Sequence, residues 1–326
     1  MTQSALTIWT NAKFPDDVRE DLAANAAPHR LIYATDTNRS ILAAAPVDPQ
    51  LAAADIAFGQ PDADQAMRLD NLKWVHLTSA GYTAYDRDDF KAALRARGAM
   101  LTTSSGVYDD PCAQHALAMI MALARRLPES LKTQFGDRAW HWTRQRSESF
   151  LLNGQTALLF GFGAIALRLC ELLAPFRMNL VGVRRTVKGD EPVRIITEEQ
   201  VAELLPLADH IIDLLPASDS TARYFNEEMF RRMKPGALFY NIGRGATVDQ
   251  EALLVALESG SLAGAYLDVT TPEPLPPDHP LWSAPNCYIT PHTAGGQIRE
   301  QHNLVGHFLE NLRRFVSGSD LLDRIV

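Results

Sequence analysis

Cysteine is scarce in this chain. Cys112, Cys170 and Cys287 are the only three in 326 residues, and they lie far apart. Their spacing suits no metal, and an odd count gives no disulfide framework. They read as small buried apolar residues in the reduced thiol state of a cytoplasmic protein. Long hydrophobic runs are also missing. The longest, Ala116–Ala124, falls far short of the ~20 residues a membrane helix needs. The opening segment MTQSALTIWTNAKFPDD has neither a basic stretch nor an extended apolar one, so no signal peptide is expected. Positive charge is not in excess: Lys and Arg total 31 against 39 Asp and Glu, a net charge of −8. That balance argues against nucleic acid or an anionic membrane as a partner, while leaving room for a local basic pocket that takes an anionic substrate. Repeats beyond a simple strand–helix alternation are absent, as are low-complexity stretches.

What remains is the composition of a globular enzyme-sized protein, 46% hydrophobic and 21% charged. Its length favours two domains, because a single core stops growing well below it. Short apolar runs alternate with helical patterns: strands at 6–9, 31–34, 54–58, 73–78 and 100–103, helices at 15–26 and 86–97. This alternation predicts a mostly parallel α/β sheet. A long helix is expected over 111–126, with Pro111 in its first turn. Its middle, HALAMIMALA, is apolar all round, which predicts burial on every side and a helix able to run between domains. The segment 135–149, with Trp140, His141 and Trp142, lacks periodicity and suits either an arm on a partner subunit or a loop with anchored aromatics. From Gln155 the alternation resumes, with strands at 156–160, 179–183, 210–215, 237–241, 264–269 and 286–290. Helices fall at 163–173, 197–204 and 249–258, and a last one at 297–316 is long enough to return to the first half.

The first chemical motif follows the strand at 156–160. Gly161, Gly163 and Ala166 form G-x-G-x-x-A between a strand and a helix. The first glycine permits a tight turn, the second lets backbone approach a pyrophosphate, and the alanine allows close helix–strand packing. The helix N-terminus offers free N–H groups to phosphate. An NAD-binding chain would place an acid at the end of the next strand. Here stand Arg184, Arg185 and Thr186, which suit a 2′-phosphate and favour NADP(H) over NAD(H). Asp190 and Glu191 lie close enough downstream to keep NAD open.

Three more motifs sit just past strands: Asn241-Ile242-Gly243-Arg244-Gly245, the proline-flanked Glu273, and Thr290-Pro291-His292-Thr293-Ala294-Gly295-Gly296. Singly, each has an ordinary explanation as an exposed loop residue. Together they match a reaction. Reducing a keto acid needs a proton for the developing alkoxide, which histidine supplies near neutral pH. A carboxylate fixes the imidazole, and an arginine grips and polarises the substrate. Arg244, Glu273 and His292 are therefore the candidate catalytic residues, and no metal is called for.

The order GFGAIA, NIGRG, DVTTPEPLP, HPLW and TPHTAG resembles the D-isomer-specific 2-hydroxyacid dehydrogenase family over nearly the whole chain. The resemblance implies two Rossmann-like domains with doubly wound parallel sheets. The substrate domain would be flavodoxin-like and discontinuous, 1–103 with 297–326, and the dinucleotide domain would be 104–296. It implies an oxidoreductase interconverting small 2-keto acids and D-2-hydroxy acids, with Arg244, Glu273 and His292 catalytic. Cofactor contacts are implied at Gly161, Gly163, Ala164, Ile165, Arg184, Arg185, Pro216, Ile242, Asp268, His292 and Gly295. Substrate contacts are implied at Ser79, Ala80, Gly81, Arg244 and His292. Arg184 in place of the family's acid is similar to its NADPH-using glyoxylate and hydroxypyruvate reductases, which favours the reducing direction. The family's usual dimer favours the arm reading of 140–142. Gln114-His115 stands where the family often has Glu-His and is not taken as catalytic. A lysine or asparagine beside Ser79–Gly81 would suit formate or phosphite oxidation, and neither is there. The rival from another class is a nucleotide-sensing binding protein or corepressor on the same fold, against which the retention of all three catalytic residue types weighs.

Overall fold

A computed structural model describes residues 5–38, 46–187 and 189–326, with side chains undescribed at Thr37 and Asn38. Met1–Ser4, the start of the segment read above for a leader, lie outside the described residues. The chain divides into two compact units, Met1–Tyr108 with Gln297–Val326, and Asp109–Gly296.

The first unit carries strands β1 (Thr7–Ala12), β2 (Arg30–Asn38), β3 (Ile56–Phe58), β4 (Trp74–His76) and β5 (Met100–Thr102), with helices α1 (Asp16–Ala26), α2 (Ala63–Arg68) and α3 (Asp88–Ala96) between them. The sheet order is β2-β1-β3-β4-β5, and every strand pairing in it is parallel. Alternate residues along the strands face opposite cores. Ile8, Ile56, Phe58 and Trp74 meet α1 and the C-terminal helix Glu300–Ser317. Trp9, Ala57, Val75 and Leu101 meet Phe90 and Leu94 of α3 on the other face. In α1 the spacing of Val18, Leu22 and Ala26 presents one apolar stripe to the sheet. The C-terminal helix is locked by aromatic stacking: Phe308 lies 4.1 Å from Phe58 at an interplanar angle of 5°, and 5.4 Å from Trp74.

Helix α4 (Ser105–Ala124) begins six residues before the expected Pro111, which lies in its interior. The reason is remote in sequence: the Asp323 carboxylate accepts the Gly106 N–H at 2.7 Å and caps the helix start. The helix is not buried all round either. Gln114 and Ala118 are exposed, and Met119 and Met121 half-buried. After it come α5 (Leu127–Phe135) and α6 (Trp142–Glu148). The unperiodic aromatic segment is thus the end of α5, a turn and the short helix α6, with Phe135 81%, Trp140 89% and Trp142 57% exposed.

The rest of the second unit is β6 (Thr156–Phe160), α7 (Ala164–Leu173), β7 (Asn179–Val183), β8 (Arg194–Ile196), α8 (Glu198–Leu204), β9 (His210–Asp213), α9 (Glu227–Arg232), β10 (Ala237–Asn241), α10 (Gln250–Glu258), β11 (Leu262–Leu267) and β12 (Cys287–Ile289). The order β12-β11-β10-β9-β6-β7-β8 is the doubly wound arrangement, with the strand order reversing beside β6. Its pairings are likewise all parallel. Parallel strands covered on both faces read as continuous apolar runs, which is why TALLF and ALFYN were legible. Cys112 and Cys170 are buried as expected, while Cys287 is only half-buried. Among the described residues, no helix is long and apolar enough to cross a membrane.

Removing the Phe308 ring should leave a cavity against Phe58 and Trp74. Phe308→Ala is expected to lose about 3–5 kcal/mol of stability, read as a lower urea midpoint. An unchanged midpoint would show that the C-terminal helix contributes little to the first unit.

Candidate active site

The carboxyl ends of a parallel sheet are where a ligand meets free backbone groups. At the end of β6, Gly161 adopts a positive φ of 88°, and a Cβ there would lie 2.7 Å from Leu214 O. A side chain is therefore excluded by the protein itself. Gly163 differs: its φ is −107° and a Cβ there would meet nothing within 4 Å. Neither strain nor packing requires glycine at 163, so the space it leaves suits something outside the chain. Helix α7 starts there with no side-chain cap and no acid in its first turn, leaving its first N–H groups to an anion. These features fit the pyrophosphate of a dinucleotide, with Ala164 and Ile165 supplying N–H groups. Ala166, fully buried, permits the close helix–strand packing.

Arg184 follows β7 and Arg185 is exposed beside it. Glu191 does reach back: its carboxylate accepts from Arg184 Nη1 at 3.1 Å and from Gly189 N at 2.8 Å. The guanidinium expected at a 2′-phosphate is thus held by an acid of its own loop. Pro216, past β9, is exposed, Ile242, past β10, is buried, and Gly295 is half-buried.

Arg244 sits on the turn after β10. Asn241 ties that turn, its side chain accepting Gly243 N (2.9 Å) and donating to Arg244 O (3.0 Å). Gly245 is needed for close approach, since a Cβ there would lie 2.0 Å from Thr270 O. The guanidinium donates to Gly243 O at 2.7 Å, its one hydrogen bond among the described residues. Burial pulls its pKa below the ordinary value, and the Glu273 carboxylate opposes that shift.

Glu273 lies in the loop after β11. Gln250 clamps this loop through Thr271 O (2.7 Å) and Thr271 N (2.8 Å). Glu273 Oε1 accepts Thr270 N at 3.0 Å, and Oε2 lies 2.9 Å from His292 Nδ1. Burial by itself would push the Glu273 carboxyl up, but the bonds from His292 and Thr270, with the charge of Arg244, hold it below the usual glutamate range. The two side chains are 27% and 25% exposed, so the pair is reachable from solvent. His292 has a positive φ of 53°, and its N–H is held by Asp268 O at 2.8 Å. The buried Asp268 carboxylate accepts from Thr290 Oγ1, Thr293 N and Ala294 N at 2.6–3.1 Å, fixing the turn around the histidine.

In the first unit, Ser79, Ala80 and Gly81 follow β4. Ser79 Oγ donates to Gly81 O (2.6 Å) and accepts from Gln60 Nε2 (2.9 Å). Among the described residues none accepts the N–H groups of Ser79, Ala80 or Gly81, which leaves three amide donors at one strand end. Within the second unit, Arg244, Glu273 and His292 come together at one edge of the sheet. Sequence reasoning named Asn241 only within its motif and passed over Asp213, Thr247 and Gln250, whose hydrogen bonds reach the turns at that edge. The available signal was an acid, Asp213, ending the apolar strand run of β9.

The NAD binding domain of the D-isomer specific 2-hydroxyacid dehydrogenases matches residues 117–294, more than half of the chain. The chain belongs to this family. A glyoxylate reductase/hydroxypyruvate reductase of Mus musculus is 33% identical over 242 residues, 72% of this chain and 71% of that protein. A glyoxylate reductase of Thermofilum pendens is 31% identical, covering 79% of this chain and 76% of its own length. Among solved structures, a D-isomer specific 2-hydroxyacid dehydrogenase from Xanthobacter autotrophicus Py2, in complex with NADPH and MES, superposes with a TM-score of 0.81. It shares 26% identity, over 99% of this chain and 98% of that one. As a 2-hydroxyacid dehydrogenase, the chain is an NAD(P)-dependent oxidoreductase.

Gly163 separates the dehydrogenase's cofactor from its fold. Gly163→Ala is expected to leave the melting temperature unchanged and to weaken dinucleotide binding ~10-fold, since the new methyl group would occupy space that suits a pyrophosphate. Fluorescence titration with NADPH checks this; equal affinity in both proteins would remove Gly163 from the cradle.

Proposed function

We propose that the chain is an NADPH-dependent reductase of small 2-keto acids of the glyoxylate or hydroxypyruvate kind. The observation that carries this reading is the 2.9 Å contact of His292 with Glu273 beside Arg244. The cofactor preference is supported by Arg184 and Arg185, tempered by the Glu191 partner of Arg184. The names of the relatives agree with the substrate class.

Reduced nicotinamide, when bound, supplies the hydride. The chain's own residues do the rest. The guanidinium of Arg244 holds the substrate carboxylate. Arg244 draws charge toward the carbonyl oxygen. His292, oriented through Nδ1 by Glu273, delivers the proton to that oxygen from Nε2. Asp268 orients this machinery by holding the histidine's turn. The reading as a nucleotide sensor without catalysis leaves the His292–Glu273 pair unexplained. The exposed Phe135, Trp140 and Trp142 support a homodimer in which they are covered, and the low cysteine count, three in the whole sequence, supports a cytoplasmic setting.

The test is nicotinamide absorbance with NADPH or NADH and a panel of glyoxylate, hydroxypyruvate, pyruvate and phenylpyruvate. Oxidation of NADPH by the two smallest polar acids is expected; cofactor binding with no turnover on any acid would refute the enzyme reading. His292→Asn should lower kcat by about 10²–10⁴-fold at unchanged cofactor affinity. Neutralising Arg184 and Arg185 together should weaken NADPH more than NADH, and equal losses would refute the 2′-phosphate assignment. Light scattering on the purified chain should give twice its 36.0 kDa mass; a monomer would refute the dimer.

A further inference from the structure

Beneath the Arg244 turn lies a hydroxyl with too many acceptors. Thr247 Oγ1 is 2.6 Å from Arg244 O and also contacts the carboxyl oxygen Oδ2 of Asp213. Thr247 and Asp213 are both completely buried. A threonine hydroxyl has one proton. An ionised carboxylate and a carbonyl both only accept, so with Asp213 ionised one of these two close contacts would be oxygen against oxygen with no hydrogen between them. Both contacts become hydrogen bonds if Asp213 brings a proton of its own. Asp213 O–H then donates to Thr247 Oγ1, and Thr247 O–H donates to Arg244 O. The other carboxyl oxygen accepts Leu215 N–H at 2.9 Å.

The surroundings agree. On the neighbouring strands Asp213 pairs with Phe160 of β6 and Asn241 of β10, neither of them charged. From the loop before α9, the ionisable group facing it is the Tyr224 phenol, which itself is bonded to Glu198. From the β10 turn the cation is Arg244, whose guanidinium is turned to Gly243 O. No side-chain cation bonds Asp213 among the described residues, and burial pushes its carboxyl up to about 7, against the opposing bonds from Thr247 and Leu215.

We propose that Asp213 is a positioning residue that carries a proton and, through Thr247, holds the Arg244 carbonyl so that the guanidinium is set for the substrate carboxylate. This rests on Arg244 being the carboxylate-binding residue. When Asp213 gives up its proton, the Thr247 hydroxyl turns to the new carboxylate. Arg244 O then loses a donor and keeps Asn241 Nδ2 at 3.0 Å and Thr247 N at 3.2 Å. Keto-acid binding by this enzyme thereby becomes linked to a proton that never touches substrate.

Asp213→Asn supplies an N–H in place of the acid's O–H and cannot ionise. The ratio of wild-type KM to Asp213→Asn KM for the keto acid is expected near unity at pH 6. It should rise about 3- to 10-fold by pH 8.5, the worth of one lost hydrogen bond, with the kcat ratio flat. Thr247→Val should show the raised KM already at pH 6. Parallel KM profiles of wild type and Asp213→Asn overturn the proposal. Carbon-13 spectra of aspartate-labelled wild-type protein test the proton directly and need no variant. One aspartate carboxyl still protonated at pH 6 is expected, and none overturns the proposal. Arg244→Ala separates the two layers: full keto-acid turnover in that variant would refute the role of Arg244, while the carbon-13 result still decides where the proton sits.

Discussion

The carboxylate of Asp268 gathers the β12 turn onto the end of β11. It accepts Thr290 Oγ1 and the N–H groups of Thr293 and Ala294, while its own carbonyl accepts His292 N–H. His292 needs this restraint, because a histidine at positive φ is a minority conformation that must be held by its surroundings. Once the turn is fixed, the imidazole can meet Glu273, and Glu273 is in turn set by the Gln250 clamp on Thr271. The histidine of the candidate site is therefore placed chiefly by backbone amides and one buried acid, and only in its last step by a side-chain pair.

Three acids at this edge of the sheet are handled in three ways. Glu273 is partly open to solvent and kept ionised by a histidine and an arginine. Asp268 is buried and saturated by hydroxyl and amide donors. Asp213 is buried with a hydroxyl that lacks a proton for it, and so keeps its own. The chemistry of each follows from how many donors reach it rather than from its residue type.

Much of this was legible in the sequence. The α/β alternation, the family, and the strands β6, β7 and β10 were readable because parallel strands covered on both faces are short continuous apolar runs. The convergence of Arg244, Glu273 and His292 was foreseeable because glycine and proline mark the turns that carry them. What escaped reading depends on distant partners. The start of α4 is set by Asp323, more than two hundred residues away along the chain. The pairing of Glu191 with Arg184, by contrast, lies within a single loop and was foreseeable from the sequence. Helix α6, which starts at Trp142, buries no residue and carries no periodic apolar stripe.

The stack of Phe308 on Phe58 and Trp74 has a consequence for synthesis on the ribosome. Strands β1, β3 and β4 emerge early, and α1 shields only part of the face carrying Ile8, Phe58 and Trp74. The remaining cover arrives with Val305, Phe308 and Leu309, after all of Asp109–Gly296 has been made. At translation speeds of roughly 5–20 residues per second, a sticky aromatic face stands uncovered for many seconds. The second unit is continuous and can finish folding first. The nascent first unit is the one that must wait for its last helix.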